Sequence, residues 1–237
     1  MSCFQVPYAD ASTEEHAAAY IELTGGGTNS EETLARAETW LAQCEKHEFC
    51  SNWSSLNGIS QTLPARLLEI SPADHTPGVR IVHGKDIASN SRYATLSYCW
   101  GGLNPIMLRQ SNLEEFMQRI PWPKLPSTFR DAIQITARLK LRYLWIDALC
   151  IVQDDSLDWA TEAARMTNVY ANSTLNIMAD GGTNSEQGLF QNRNTDAERA
   201  ILRRSRELGP KKDWICYADH FGRDIFGSPL NLSLIHI

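Results

Sequence analysis

The chain has 237 residues, 43% of them hydrophobic, and a formal charge of −6. That length allows one sizeable core with an appended segment, and the composition excludes a disordered chain. The acidic balance excludes a global basic field of the kind that grips a nucleic-acid backbone, so no nucleic-acid partner is expected.

The opening stretch "MSCFQVPYADASTEE" has neither the basic start nor the apolar run of a secretory signal. No apolar run approaches the roughly 20 residues needed to cross a bilayer, so no membrane partner is expected. The six cysteines, Cys3, Cys44, Cys50, Cys99, Cys150 and Cys216, are scattered. Reduced thiols in a cytoplasmic protein are the simplest expectation.

In chain order, "ASTEEHAAAYIEL" suggests a short helix, followed by the flexible link "GGGTNS". Residues 30–48 read as a helix capped by Ser30, with Leu34, Ala37, Leu41 and Cys44 at helical spacing. Cys44, His47 and Cys50 also recur every third residue, but a zinc site needs a fourth ligand that nothing nearby supplies, so no metal is expected. The stretches 65–70 and 78–84, with the turn-rich "SPADHTPG" between them, predict a hairpin. Then come a strand over 92–101, a helix from Ser111, and a helix over 126–141 with the stripe Phe129, Ile133, Ala137 and Leu139 or Leu141. The nearly continuous apolar run 142–152 predicts a strand covered on both faces. A helix over 156–170 capped by Ser156 and a strand over 173–180 follow. Alternation of strands and helices between 92 and 180 predicts an α/β sheet with mainly parallel core strands flanked by helices.

In open α/β sheets, ligands bind beyond the carboxyl ends of the strands. Ser97, Tyr98, Trp100 and Gly101, with Gly102, end the first core strand at that edge. The glycines permit close backbone approach and Trp100 offers a stacking face, although taken alone a tight turn with a core aromatic is the better explanation. Asp147 lies in the apolar run and needs a partner: Arg130 or Arg142 would make it a structural ion pair, and the alternative is that it points into the site at the strand end. Asp154, Asp155 and Asp158 sit at the start of the next helix, where the macrodipole favours negative charge by about 0.3–1 kcal/mol per group. Asp158 and Glu162, one turn apart around Trp159, share a helix face. A solvated glutamate beside Arg165 is the plain alternative for Glu162. The basic run "RRSREL" with Lys211 and Lys212 reads as solvated surface.

The blocks "YATLSYCWGG", "LPSTFRDAIQITARLKLRYLWIDALCIVQDD", "EAARMTNVYANSTLNIMA" and "GLFQNR" resemble, in order and spacing, the fungal heterokaryon incompatibility (HET) domain over residues 92–193. "WLAQCEKHEFC" and "LPARLLEI" resemble segments that precede it. The resemblance implies a role in fungal non-self recognition and programmed cell death. It also implies remote kinship with TIR domains, hence a flavodoxin/TIR-like sheet preceded by a helical and hairpin segment. Some TIR domains cleave NAD with one glutamate. "DWATE" resembles the Trp-Cys-x-x-Glu stretch that carries it, with Ala160 in place of the cysteine. By that resemblance Glu162 is the candidate catalytic residue. Ser97, Tyr98, Trp100, Gly101, Asp147, Asp154, Asp158 and Trp159 are the candidate substrate-binding set, and NAD is a substrate rather than a cofactor. The other reading is a non-enzymatic module that self-associates or recruits other incompatibility proteins. The implied organisation is 1–62 helical, 63–91 hairpin, 92–193 domain core, 194–231 the start of a C-terminal region, and 232–237 ("LSLIHI") an adapter-like, non-native tail without native packing.

Overall fold

The computed structural model describes residues 27–47, 62–71, 77–102 and 105–190, and the backbone of short strands at 2–5, 201–204, 213–217 and 235–236. The expected helix near the N-terminus and Cys50 lie outside the described residues. The chain divides into two compact units, 1–33 with 190–230, and 34–189 with 231–237. In the first, β1 (Ser2–Gln5) and β7 (Ile201–Arg204) each pair antiparallel with β8 (Asp213–Tyr217).

The second unit is built on a sheet of β2 (Arg66–Ser71), β3 (Gly78–His83), β4 (Tyr93–Ser97), β5 (Tyr143–Trp145), β6 (Leu175–Met178) and β9 (Ile235–His236), in the order β3-β2-β5-β4-β6-β9. The expected hairpin is present, with Arg66 opposite His83 and Ser71 opposite Gly78. The three central strands are parallel, Tyr93 aligning with Tyr143 and Ala94 with Leu175. The other pairings, β2 with β3, β2 with β5 and β6 with β9, are antiparallel. The fold is therefore a mixed α/β sheet, with parallel pairing confined to its centre. Ile235–His236 pairs with β6, so the expectation that 232–237 make no packing interaction fails at these residues.

Five helices flank or link these strands among the described residues: α1 (Glu31–Cys44), α2 (Leu113–Gln118), α3 (Ser127–Arg138), α4 (Asp147–Cys150) and α5 (Ser156–Ala171). Ser30 does cap α1, its Oγ accepting from the Thr33 N–H at 3.2 Å. The other two caps differ. Asp155 caps α5 by accepting from the Leu157 and Asp158 N–H groups, so Ser156 is already helical. Ser111 lies within a 3-10 turn that precedes α2. On α3, Phe129, Ile133 and Leu139 are buried as expected, whereas Ala137 is exposed. Its inner face runs instead through Thr128, Ala132, Ile135 and Thr136.

The largest departure concerns the run 142–152. Only Tyr143–Trp145 is strand; the chain then coils into α4. All of Leu144 to Ile146 and Ala148 to Val152 are buried. A buried helical turn and a strand covered on both faces give the same uninterrupted apolar run, so periodicity could not separate them. The Asp147 carboxylate favours the turn locally by accepting from the Ala148 N–H at 2.7 Å.

Alternation along the parallel trio sorts the core into two faces. Tyr93, Thr95, Tyr143 and Trp145 share one, and on it Tyr93 Oη donates to the Val169 carbonyl at 2.7 Å while Trp145 meets Tyr170 edge-on at 5.6 Å. Leu68, Ala94 and Leu144 share the other and are fully buried. Leu144→Ala should cost about 2–5 kcal/mol, because it empties a central position between two strands. Ala137→Ser, on the exposed side of α3, should stay within about 0.5 kcal/mol of the parent. Urea denaturation midpoints of the two variants check both values.

Candidate functional site

β4 lies between β5 and β6, so the chain passes from β4 to β5 on one side and then crosses over β4 to reach β6 on the other. The crevice beyond the carboxyl ends of such strands is where open α/β sheets bind ligands. Here that edge carries Tyr98, Trp100, Gly101 and Asp147. Trp100 Nε1 donates to Asp147 Oδ2 at 2.8 Å. Tyr98 and Trp100 lie near-parallel, with ring centroids 6.2 Å apart, and Phe129 from the start of α3 meets Tyr98 edge-on at 5.0 Å. Ser97 ends β4 and pairs with Met178 of β6. The structure thus gathers Tyr98, Trp100 and Asp147 into one cluster and leaves all three half-buried.

Neither expected arginine pairs with Asp147. Arg142 binds Glu69 at 2.5 Å and Arg130 bonds to Ser127 Oγ at 3.1 Å. Because the chain coils at Asp147, the carboxylate turns toward the strand ends and takes the Trp100 indole as its donor. Burial raises its pKa, against the lowering effect of the N–H groups of Trp100 and Ala148. Burial, then the nearby Asp147 charge, push the Tyr98 hydroxyl well above the usual phenol range. That hydroxyl is buried, yet it makes no hydrogen bond of good geometry. Tyr170 stands close by; its hydroxyl donates to the Leu96 carbonyl at 3.3 Å, and burial pushes its pKa up to about 12.

Asp158 and Glu162 do share a face of α5, and both point inward, but to a second cluster. Asp158 binds Arg66 and accepts from the Val152 N–H at 2.9 Å. Arg66 also donates through Nε to the Cys150 carbonyl at 2.7 Å. Glu162 is only 2% exposed. Its Oε1 takes Arg165 at 3.2 Å, and Arg165 reaches on to the Leu63 carbonyl at 3.3 Å. Glu162 Oε2 is buried without a partner. Glu162 is therefore not the solvated helix residue that its setting beside Arg165 allowed.

The remaining acidic residues hold the turn. Asp154 accepts from the Gln110 N–H at 2.9 Å, and Asp155 combines its cap with a contact to Gln110 Nε2 at 3.2 Å. Those backbone bonds, first that from Asp158, hold the Asp155 carboxyl below the usual range. Trp159 is 53% exposed and joins neither cluster. Cys150 is fully buried, with its thiol pushed up to about 12 by burial, which leaves it unreactive at neutral pH. The described residues hold no group of three His, Cys, Asp or Glu side chains that could bind a metal. Arg66 and Tyr170 entered neither site from sequence. Their partners are a main-chain carbonyl or a residue remote in sequence, and no spacing rule exposes such contacts.

Gly101 is fixed by both its conformation and its surroundings. Its φ is +66°, and a Cβ there would stand 2.2 Å from the Thr183 carbonyl oxygen. Gly102, at φ +68°, meets nothing within 4 Å. Gly102→Ala should therefore carry only the left-handed strain, about 1–2 kcal/mol. Gly101→Ala should lose more, and should shift the Trp100 environment because the 183–184 loop must move. Thermal melts with indole NMR of the two variants measure the difference.

A family model described as heterokaryon incompatibility protein (HET) matches residues 93–231. No curated protein and no solved structure matches the chain. No helix among the described residues is long and apolar enough to cross a membrane.

Proposed function

The chain belongs to the heterokaryon incompatibility (HET) family, and from that premise we propose that it is an effector of fungal non-self recognition whose ligand seats at the carboxyl edge of β4 and β5. Membership carries the involvement in heterokaryon incompatibility. The observation that supports the placement is the Trp100–Asp147 hydrogen bond, which joins the chain after β4 to the chain after β5 at the carboxyl ends of two parallel strands. A half-buried carboxylate held by an indole is a recognition group set on rigid strand ends. Ligand occupancy there would change how the domain associates with further copies or with other incompatibility proteins in the cytoplasm, and that association would trigger cell death. The test is expression of the full chain in a filamentous fungus. Asp147→Asn and Trp100→Phe should each abolish killing at equal protein level, with the chain still folded by circular dichroism. Full killing by both variants would move the functional site elsewhere.

A second reading is NAD hydrolysis by a TIR-like sheet, with Glu162 as the catalytic carboxylate. Two observations favour it. The parallel strands run in the order second, first, third, as in flavodoxin-type sheets. Glu162 Oε2 is a buried carboxylate oxygen without a partner, an arrangement that natural proteins rarely keep without a use. Glu162→Gln would then abolish NAD consumption while the melting temperature stays nearly unchanged, because a neutral amide cannot stabilise a developing ribosyl cation. Arg165→Met provides the comparison. If Glu162 is only a tie to Leu63 through Arg165, both variants lose stability and NAD levels do not respond to either. Product analysis by chromatography, paired with thermal melts, separates the two outcomes.

A further inference from the structure

Three buried or largely buried carboxylates of the second unit each hold an arginine. Glu69 holds Arg80 and Arg142, Asp158 holds Arg66, and Glu162 holds Arg165. Burial alone would raise the Glu69 pKa, but its two arginines outweigh that and hold it low. Asp147 is different. Its carboxylate oxygens face only neutral donors, the Trp100 indole N–H, the Ala148 backbone N–H and the Tyr98 hydroxyl, and no cation. A desolvated carboxylate without a counter-charge is costly, and proteins normally supply one. The groups around Asp147 are also of one kind: the Trp100 ring, the near-parallel Tyr98 ring and the buried Tyr98 hydroxyl, which faces the Asp147 carboxylate.

From this juxtaposition we propose that the Tyr98–Trp100–Asp147 cluster binds a small organic cation, which supplies the positive charge the protein omits. The inference rests on the reading of this edge as the ligand site and names the ligand class. Aromatic faces attract ammonium-type cations through the ring quadrupole, most strongly when water is excluded, and tryptophan is the best of the three rings. Donation of the Trp100 N–H to a carboxylate enriches the indole further, since hydrogen bonds in a low-dielectric setting polarise their donors. Asp147 adds the full negative charge at the ring edge. Gly102 has nothing within 4 Å of where a side chain would stand, so the chain is open there.

The experiment titrates the full chain with choline, with N-methylpyridinium, and with 3,3-dimethyl-1-butanol, the uncharged isostere of choline. The readout is the Trp100 indole N–H resonance, assigned from its loss in Trp100→Phe. Either cation should shift that resonance saturably, with the alcohol at least roughly tenfold weaker. The stronger of the two cations tells an aliphatic ammonium ligand from an aromatic one. Asp147→Asn, which keeps the shape but accepts through one atom only, should weaken cation binding by roughly tenfold or more while the NMR spectrum stays that of a folded chain. Equal binding of the alcohol, retention of full affinity in Asp147→Asn, or no response to either cation would overturn the proposal. If cations fail to bind while Asp147→Asn still abolishes killing in the fungus, the ligand class is wrong and the site reading stands. If cations bind as expected while that variant kills normally, the cation site stands and the site's role in killing falls.

Discussion

Arg66 ties the hairpin to everything that follows β5. Its guanidinium is nearly buried and spans two partners that are 8 residues apart in the chain, the Cys150 carbonyl and the Asp158 carboxylate. Asp158 in turn takes the Val152 N–H. One side chain on β2 therefore fixes the end of α4, the turn after it and the first turn of α5. Removing one partner of such a pair leaves an uncompensated buried charge, which typically costs about 3–5 kcal/mol. The position of Asp147 depends on that arrangement, because Asp147 opens the short helix whose last carbonyl Arg66 holds.

Charge after the most apolar segment of the chain then has a physical account. The chain leaves β5 into a buried turn, and buried turns expose main-chain groups that need partners. Asp147 satisfies its own turn, Asp154 satisfies the segment before α2, Asp155 caps α5 and Asp158 satisfies Val152. Most of the acidic run is thus structural. What remains for function is the carboxylate without a cation, Asp147, and the carboxylate oxygen without any partner, on Glu162. These two sit in different clusters, the first with the aromatic residues at the strand ends and the second with Arg165 and Leu63.

The element pattern was legible because its signals are local. Hydrophobic spacing placed α1, α3 and α5, and turn residues placed the hairpin. The cap of α5 was missed by one residue, since Asp and Ser are both good caps and stand side by side at 155 and 156. The run 142–152 misled because uniform burial erases periodicity. The aromatic edge residues were identified from their place at the end of a core strand, whereas the bond between Trp100 and Asp147 came only from the fold. The partner assigned to Asp147 was wrong for a reason of geometry: a strand would have aimed it across the sheet, whereas the helical turn aims it at the strand ends.

The sequence by itself determined the alternating strands and helices, the hairpin and the family, because these rest on residue order and short-range spacing. Only the tertiary structure decided that parallel pairing is confined to β5, β4 and β6, since strand direction depends on which distant segments meet. It alone separated Asp147 from Asp158 and Glu162, which lie within 16 residues of one another in sequence but point to different neighbours. It alone also showed which carboxylates have arginines. Pairing of buried charge is settled by proximity across the fold, between residues as far apart as Arg66 and Asp158, and no local pattern records it.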